Sequence, residues 1–384
     1  MLYYDSDALF VPSIAIFFIG LVMVYAYSKR TLVSLGVAFV KAAVFFIYFY
    51  FFFDGTFTFK DDWTYLNAGN ELLAKGFSIF SIVTDRETLM NMFRSRHILY
   101  QVYNLLAFKL FGENYFSPVA LNIIVTFFTS YLLYKFALLL KLSKQLSLYI
   151  AILYLIHWDI LAWSSFLNLK DILVQFLVFL AIYSLMKIVY EHRYKFSISF
   201  IISLYLLAMI RFYLILAIAI TYMIYMLCSI YIRNKRLEQL FILSLVPVLI
   251  TLVFVTVTLV YPSDLNFFLD RLTNPLTGSI RFLLTPIPFH IDNNYLFLTF
   301  SALLHWVMFP FMIYGYFVLY KKSPNTTIFI TLFVFTILII YGSIPELQTA
   351  RKRLILEPFF VIFQMLGVVS FGRDIRLRNL KMSL

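Results

Sequence analysis

The sequence predicts an all-α integral membrane protein, a polytopic bundle of about 11 transmembrane helices with an outer-face loop domain of short and interfacial helices. The chain is 62% hydrophobic and 13% charged, with a mean hydropathy of +0.89, which is more apolar surface than a soluble protein of this size can bury. It contains uninterrupted apolar runs about 20 residues long, the length of a spanning helix. The alternating segments of about ten residues that form membrane β-barrels are missing from it. Residues 1–384 are therefore predicted to form a single polytopic membrane domain.

Each apolar run defines one predicted span. In chain order the spans cover residues 8–27, 33–53, 116–140, 145–163, 171–189, 196–210, 212–232, 240–260, 293–320, 327–342 and 354–371. The first run follows an acidic start that contains Asp5 and Asp7, whereas a secretory signal begins with basic residues and ends at a small-residue cleavage site. The first run is therefore expected to be a retained span.

The distribution of cations predicts the orientation. Lysine and arginine gather in the short connections on one side of the bundle and in the C-terminal tail, and cytoplasmic loops are rich in these residues. The N-terminus and the acidic loop are thus expected outside, and the C-terminus in the cytoplasm, of a multi-pass protein of the cell (plasma or inner) membrane. The same bias explains the net charge of +12 without a nucleic-acid partner. Cys228 is the only cysteine, which excludes an internal disulfide framework and a thiolate metal site.

Two long polar loops, at residues 54–115 and 261–292, lie on the predicted outer side. In the first loop, residues 62–75 are predicted to form a short helix, and the capping-box pattern at 84–87 predicts a second one. Residues 97–111 are amphipathic and are expected to lie in the membrane interface. The second loop contains four prolines and several apolar side chains, so we expect it to cover a site at the surface.

The leading candidate functional residues are Asp61 and Asp62, two adjacent carboxylates in the first outer loop. A carboxylate at the membrane surface can deprotonate an acceptor hydroxyl or help to bind a divalent cation. The alternative is structural: Asp61 caps a helix that starts at Asp62, and the positive end of the helix dipole favours both acids. The two interpretations are compatible, because a catalytic acid can occupy a helix terminus.

A second group of candidates flanks the predicted outer turn between the fourth and fifth spans. Asp159, Lys170 and Asp171 lie at the rim of the bundle, where an ionisable side chain is a candidate for binding an acceptor or a metal. The alternative is a solvated turn in which Lys170 and Asp171 form an ion pair. His157 is expected to pack at the rim, because no partner at ligand spacing accompanies it in the sequence.

Arginines on the predicted outer side indicate an anionic partner. Arg211 lies between two apolar runs, and because an unpaired buried guanidinium is costly, it is expected to face an anion, a carboxylate or water. Arg351, Lys352 and Arg353 place three cations directly before an apolar span, against the usual charge bias. A phosphate group would balance them, because arginine binds phosphate in a bidentate fork. The alternatives are lipid headgroups as partners, or a miscounted span that would move these residues to the cytoplasmic side.

The acidic run at residues 61–65 (DDWTY), set between two spans, resembles the first outer loop of the GT-C superfamily of membrane glycosyltransferases, of the protein mannosyltransferase and aminoarabinose transferase type. The resemblance continues through residues 97–111 and the span after them. Residues 351–358 are similar to the family's Arg-Tyr…Pro segment that opens a terminal span. Two features depart from the family pattern: span 8–27 is extra, and the second acid of the motif is Asp62 instead of the more frequent glutamate.

The resemblance implies an inverting transferase that moves a sugar from a polyprenyl-phosphate donor to an acceptor hydroxyl of a glycan, lipid or protein, on the outer face of the membrane. It implies that Asp61 is the general base that activates the acceptor. It further implies that Asp62, Asp159 or Asp171 holds a divalent cation (Mg or Mn) or orients the acceptor. The leaving group, on which negative charge develops, is implied to be stabilised by three arginines: Arg211, Arg351 and Arg353.

Other functions remain open from the sequence. A surface-polysaccharide (O-antigen or exopolysaccharide) polymerase or ligase also handles polyprenyl-linked sugars with outer-face arginines, and it predicts dependence on arginine or histidine with little dependence on Asp61. A lipid-linked glycan transporter usually shows internal repeats and polar residues deep within several spans. This sequence shows no such repeat, and its polar groups gather at one face, which favours an enzyme. A purely structural role would leave the paired acids without a purpose.

Overall fold

The computed structural model describes residues 6–56, 58–93, 97–233, 271–288 and 293–382. Every regular element within these residues is a helix. Seven helices are long and apolar enough to cross a membrane, and an eighth crossing results if one bent pair of helices counts as a single span. The chain is therefore a multi-pass helical membrane protein.

Seventeen α-helices follow one another through the described residues. They are α1 (Phe10–Ser28), α2 (Thr31–Ile47), α3 (Lys60–Ala74), α4 (Ser81–Thr84), α5 (Arg86–Phe93), α6 (Ile98–Phe111), α7 (Phe116–Leu139), α8 (Lys144–Ile156), α9 (Trp158–Ser165), α10 (Asp171–Glu191), α11 (Phe196–Arg211), α12 (Tyr213–Arg233), α13 (Pro275–Leu284), α14 (Thr299–Lys322), α15 (Pro324–Gly342), α16 (Ala350–Arg353) and α17 (Glu357–Met382). Short turns extend the helical path: a π turn at Tyr48–Phe52 continues α2, and a 3₁₀ turn at Leu354–Leu356 joins α16 to α17.

The crossing helices agree with most of the predicted spans. The predictions at 196–210 and 212–232 correspond to α11, which is a shorter apolar helix of 16 residues, and to α12, which has 21 residues. The 16 residues of α11 rise about 24 Å, less than the roughly 30 Å of a bilayer's hydrocarbon core. The span predicted at 240–260 lies outside the described residues, as do residues 261–270 and 289–292 of the second outer loop.

Burial divides the bundle into a centre and an edge. Most residues of α7, α10 and the first half of α17 are buried, whereas only five of the 19 residues of α1 are buried. The exposed side chains of α1 form a stripe at every fourth residue: Phe10, Ile14, Phe18 and Val22. One turn of helix separates such residues, so they share a face. In a multi-pass membrane protein an exposed apolar face of this kind faces lipid.

The helices α14 and α17 cross at backbone contact. A Cβ atom on Gly315 would lie 1.8 Å from the carbonyl oxygen of Phe363, and one on Gly367 would lie 1.9 Å from that of Phe311. Small residues permit this approach, and close packing of this kind associates helices in lipid, where the hydrophobic effect does not. The crossing fixes α17 within the bundle.

The helix α3 begins two residues earlier than the helix predicted for this segment. It starts at Lys60, and Phe59 occupies the N-cap position. The Oδ2 atom of Asp62 accepts a hydrogen bond of 3.0 Å from the backbone N–H of Phe59. The structural alternative for Asp61 is therefore wrong: the carboxylate that satisfies the helix start belongs to Asp62, and Asp61 lies in the first turn.

The helix predicted at 97–111 forms α6, and protein covers its polar side. Gln101 and Asn104 are buried, and Asn104 Oδ1 accepts a hydrogen bond of 2.8 Å from Nδ2 of Asn168. The hydroxyl of Tyr100 donates to Oδ1 of Asn168 at 2.9 Å. α6 packs against both α3 and α7. Buried hydrogen bonds, in addition to apolar contacts, thus hold α6 on the bundle.

Two backbone irregularities meet inside the bundle. The helical path breaks at His157, where α8 and α9 meet at an angle of 45°. The 3₁₀ turn at Leu354–Leu356 interrupts the path between α16 and α17. Together they bring Nε2 of His157 within 3.3 Å of Oε1 of Glu357.

Residues 271–288, the described part of the second predicted loop, pack against the end of α15 and contact Arg353. Their helix α13 packs so tightly on the end of α15 that a Cβ atom on Gly278 would lie 1.8 Å from the carbonyl oxygen of Gly342. The carbonyl oxygen of Thr285 accepts a hydrogen bond from the Arg353 guanidinium. This loop therefore covers an interior arginine.

Candidate active site

Charged side chains from four segments meet at one end of the bundle. Asp61 lies in the first turn of α3 and Asp171 in the first turn of α10, while Arg211 ends α11 and Arg351 belongs to α16. Arg211 and Arg351 both donate to Asp171, and Arg351 also contacts Asp61. The structure thus brings together four of the residues that the sequence singled out. We call this group, with Lys352, the surface cluster.

Asp171 is the hub of the surface cluster. Its carboxylate is 1% exposed; Oδ1 accepts from Nη2 of Arg211, and Oδ2 accepts from Nε of Arg351. Nζ of Lys352 lies 3.7 Å from Oδ1. Because charge-assisted hydrogen bonds to guanidinium groups are directional, Asp171 holds both arginines in defined orientations. Its oxygens are occupied by protein, so its effect on any ligand is exerted through these cations.

The turn before α10 is buried, which contradicts the alternative of a solvated ion pair between Lys170 and Asp171. Lys170 is 4% exposed, and its Nζ donates a hydrogen bond of 2.6 Å to the hydroxyl of Tyr65. The same ammonium lies 5.2 Å from the centre of the Tyr65 ring. Burial, followed by repulsion from Arg211, lowers the pKa of Lys170 well below its ordinary value. Lys170 therefore ties α3 to α10.

Positive charge exceeds negative charge in the surface cluster. Three cations, Arg211, Arg351 and Lys352, face the two carboxylates of Asp171 and Asp61. Nη2 of Arg351 is buried and has no hydrogen-bond acceptor among the described residues. A buried donor without an acceptor costs roughly 1–3 kcal/mol or more. An anionic oxygen beside Arg351 would remove that cost and balance the charge.

Asp61 is the accessible carboxylate of the surface cluster. Its side chain is 52% exposed, and Oδ2 lies 3.2 Å from Nη1 of Arg351. The first turn of α3 adds the partial positive charge of a helix N-terminus. A hydroxyl group that binds beside Arg351 would therefore meet a carboxylate oxygen able to accept its proton.

Asp62 lies on the protein-facing side of the same turn. It is buried, and its Oδ2 accepts hydrogen bonds of 3.0 Å from both the Phe59 N–H and the Tyr115 hydroxyl. Burial raises the pKa of Asp62 to about 6, although both hydrogen bonds oppose this shift. The structure thus separates the two predicted catalytic acids, because Asp61 is accessible and Asp62 supports the start of the helix.

His97 lies next to the surface cluster, and no role was predicted for it. Its Nδ1 is 2.9 Å from the carbonyl oxygen of Ile210, one residue before Arg211. Burial, with the positive charges of Lys170 and Arg211, lowers the pKa of His97 to about 2, so its imidazole is neutral. The two contacting residues are 113 positions apart, and no local pattern in the sequence indicates that contact.

Asp159 and Arg353 form a separate, interior pair. Nη2 of Arg353 lies 3.3 Å from Oδ2 of Asp159, and Ser301 donates to Oδ1. Arg353 is 1% exposed, and it also donates to the carbonyl oxygen of Thr285. Residues two positions apart in an α-helix are rotated by roughly 200° about the helix axis. The side chains of Arg351 and Arg353 therefore point in nearly opposite directions. Because the guanidinium of Arg353 is buried, it is not accessible for the phosphate-binding role predicted for it.

The surface cluster is poorly suited to the divalent cation that the sequence resemblance implied. Both oxygens of Asp171 accept from guanidinium groups, and Asp61 contacts a third N–H donor of the same set. A Mg or Mn ion placed here would be repelled by three nearby cations. Side chains grouped closely enough to bind a metal ion occur elsewhere among the described residues, at His157, Asp159 and Glu357.

No protein-family model matches this chain, and neither does any curated protein or solved structure. A functional conclusion therefore depends on the surface cluster itself. The cluster combines an accessible carboxylate, an adjacent guanidinium with an unused N–H, and a buried carboxylate that orients this guanidinium. Such an arrangement can accept a proton and stabilise a nearby negative charge.

Proposed function

We propose that this protein is an integral membrane glycosyltransferase of the GT-C type, a hexosyltransferase that uses a sugar linked to a polyprenyl phosphate. The observation that carries the proposal is the contact between the accessible Asp61 and Arg351, whose guanidinium is held by Asp171. The full architecture we propose has about 11 spans, with an outer loop domain formed by residues 54–115 and 261–292. The N-terminus and the site face outward from the cell membrane, and the C-terminus is cytoplasmic.

In the proposed reaction, Asp61 is the general base. Its carboxylate takes the proton of the acceptor hydroxyl while the hydroxyl oxygen forms a bond to the anomeric carbon of the donor sugar. The bond between that carbon and the phosphate oxygen breaks, and the polyprenyl phosphate leaves with the electron pair. Direct displacement inverts the anomeric configuration. A positioned base contributes roughly 10²- to 10⁴-fold to the rate of such a step.

The cations of the surface cluster would stabilise the leaving group in this reaction. The phosphodiester of the donor becomes a phosphate monoester, so negative charge increases on the leaving group. Arg351, Arg211 and Lys352 would stabilise this charge, and the unused N–H at Nη2 of Arg351 would donate to a phosphate oxygen. Asp171 keeps the guanidinium groups in place before the substrate binds, so little reorganisation is needed during the reaction.

Exposed aromatic side chains near the start of the first loop suit a lipid-linked donor, and the acceptor we propose is a hydroxyl of a glycan, a lipid or a protein. Phe51 and Phe52, which precede the first outer loop, are 68% and 67% exposed. Phe80, in the same loop, is 76% exposed. Exposed aromatic side chains at this level of the bundle would contact membrane lipids and the apolar chain of the donor.

A surface-polysaccharide polymerase or ligase is the second candidate function. The excess of cations over carboxylates in the surface cluster favours it, because such an enzyme would depend mainly on arginine. In that case Arg351 and Arg211 would carry the reaction, and Asp61 would only help to orient Arg351.

The experiment that tests the proposal compares surface glycans by mass spectrometry in a deletion strain. The strain is complemented at equal expression with the wild type, with Asp61→Asn or with Asp54→Asn. Asp54 is an exposed acid of the same loop that hydrogen-bonds only to Thr56 in the described structure, so it serves as a matched control.

We expect Asp61→Asn to fail like the deletion, with one sugar missing from the glycan, and Asp54→Asn to restore it. Loss of polymer with single repeat units retained would instead indicate the polymerase or ligase. Full restoration by Asp61→Asn would show that the proposed base is wrong.

A further inference from the structure

A second charged group is buried inside the bundle. His157, Asp159 and Glu357 are 2%, 2% and 1% exposed, and one nitrogen or oxygen atom from each lies within 4.8 Å of the others. His157 occupies the break between α8 and α9, Asp159 lies in the first turn of α9, and Glu357 begins α17. We call these three residues the interior triad.

The interior triad contains several polar atoms that protein groups leave unsatisfied. Neither ring nitrogen of His157 and neither carboxylate oxygen of Glu357 has a hydrogen-bond partner among the described residues. Nε2 of His157 and Oε1 of Glu357 are 3.3 Å apart, but they are not in hydrogen-bonding geometry. A buried polar atom that lacks a hydrogen-bond partner is costly in a protein interior, even where an opposite charge is near. These atoms therefore point to a ligand that the protein itself does not supply.

Asp159 has the supporting contacts that are usual for a carboxylate that binds a metal. Ser301 donates to its Oδ1, and Arg353 lies 3.3 Å from its Oδ2. Arg353 is held in turn by the carbonyl oxygen of Thr285. Outer hydrogen bonds of this kind orient metal ligands and raise the affinity of a site. His305 is close enough to interact electrostatically with both Asp159 and His157.

We propose that the interior triad binds a divalent transition metal, with Zn²⁺ as the first choice. One imidazole nitrogen and two carboxylates are ligands that Zn²⁺ accepts, at bond lengths of about 2.0–2.2 Å. Ligand atoms around a tetrahedral ion at these bond lengths are roughly 3.3–3.6 Å apart, so side-chain rotations must close the present spacing of up to 4.8 Å. The ion would neutralise the two carboxylates and would satisfy atoms of His157 and Glu357 that have no other partner.

The proposed metal would have a structural role. It would join the bent helix pair formed by α8 and α9 to the start of α17, four residues after Arg353. In this way it would hold the position of α16, which carries Arg351 of the surface cluster. The interior triad shares no residue with the surface cluster, so this inference and the proposed glycosyl transfer can fail independently.

The test uses the full-length chain in detergent, purified without a polyhistidine tag. The protein is treated with a chelator, titrated with Zn²⁺, and assayed for bound metal by mass spectrometry and for melting temperature. The variants are Glu357→Gln and His157→Gln, and the controls are Glu346→Gln and His192→Gln. Both control positions are exposed, and neither belongs to the interior triad.

We expect the wild type and both controls to bind about one Zn²⁺ per chain and to melt at a higher temperature when it is bound. We expect Glu357→Gln and His157→Gln to bind at least about 100-fold more weakly, because the loss of a mere supporting contact already costs roughly 10- to 100-fold. A wild type that binds no Zn²⁺, Mn²⁺ or Fe²⁺ and melts alike with and without them would overturn the proposal, whatever the variants do. Equal Zn²⁺ binding by the wild type and both triad variants would also overturn it.

Discussion

The surface cluster and the interior triad differ in the balance and the exposure of their charges. In the surface cluster three cations share two carboxylates, and one of these carboxylates is half exposed. In the interior, two carboxylates and a histidine are accompanied by a single guanidinium, and all of them are almost completely buried. The charge balance of the surface cluster favours binding of an anion, and that of the interior triad favours binding of a cation.

This contrast arises from one short segment of the chain. Arg351, Lys352 and Arg353 are adjacent, and their sequence suggests one basic patch. On a helical turn they diverge, so Arg351 and Lys352 join the surface cluster while Arg353 reaches Asp159. The segment therefore mechanically links the two regions, and a substitution can be chosen to affect either one.

The largest expected effect is on turnover, which should depend on Asp61 of the surface cluster and much less on Asp159 of the interior triad. Asp61→Asn should lower turnover about 10²- to 10⁴-fold, because it removes the proposed base. Its free energy of unfolding should stay within about 0.5 kcal/mol of the wild-type value, since Asp61 is exposed. Asp159→Asn should show the reverse pattern, with a marked loss of stability. Turnover in detergent and melting temperature measured on the same preparations decide this, and a parallel loss of both quantities in Asp61→Asn would contradict it.

The next effect concerns the hub of the surface cluster. Asp171→Asn would leave Arg211 buried without a counter-charge and Arg351 with only the exposed Asp61 beside it, and breaking a buried ion pair typically destabilises a protein by about 3–5 kcal/mol. Glu71→Gln is the control, because it removes only an exposed ion pair with Lys75, worth about 0–1 kcal/mol. Chemical or thermal denaturation would measure both. If the two variants melted at the same temperature, the hub role of Asp171 would be wrong.

A smaller effect distinguishes the neighbouring arginines. Arg351→Gln should lower turnover about 10²- to 10³-fold, as expected for the loss of a donor that stabilises developing negative charge. Arg353→Gln should act mainly on stability, by roughly 1–3 kcal/mol, because it leaves Asp159 without its charged donor. Turnover normalised to the folded fraction makes the comparison. Equal normalised turnover for the two variants would remove the distinction between the two regions.

The smallest effect is a pH dependence that comes from Asp62. Burial raises the pKa of Asp62 from 3.8 to about 6, so the folded state binds this proton more tightly than the unfolded chain. The contribution of the protonated carboxyl to stability is complete below pH 3.8 and is lost as the pH rises through about 6. The stability of the wild type relative to Asp62→Asn should therefore fall by up to about 3 kcal/mol between these values. Melting temperatures measured across this range would show it, and a constant difference between the two proteins would count against it.

Much of the fold was predictable because membrane helices depend on local composition. An apolar run of about 20 residues satisfies its backbone hydrogen bonds internally only as a helix, so its length alone indicates a crossing. The bend at His157 was not predicted, since neither glycine nor proline marks it. The start of α3 was misplaced by two residues, because Asp61 and Asp62 are equally plausible caps until side-chain directions are known.

The candidate site was predictable as a set of residue types and unpredictable as a set of contacts. Charged residues in an apolar chain stand out, and this is how Asp61, Asp171, Arg211 and Arg351 were found. Their pairing joins positions up to 290 residues apart, so it depends on how the helices pack. His97 and Glu357 were overlooked as site residues for the same reason, since their partners are distant in the chain.

The sequence by itself determined that this protein is a helical, multi-pass membrane protein with an unusual concentration of charge near the ends of its spans. Hydrophobicity is a property of composition, and it acts on each segment separately. Only the tertiary structure decided that Asp61 is accessible while Asp62 is buried, and that Arg351 and Arg353 serve different clusters. Those outcomes depend on the rotation of each helix and on which neighbours it meets, because charges that are distant in the sequence interact only where packing brings them within a few ångströms of each other.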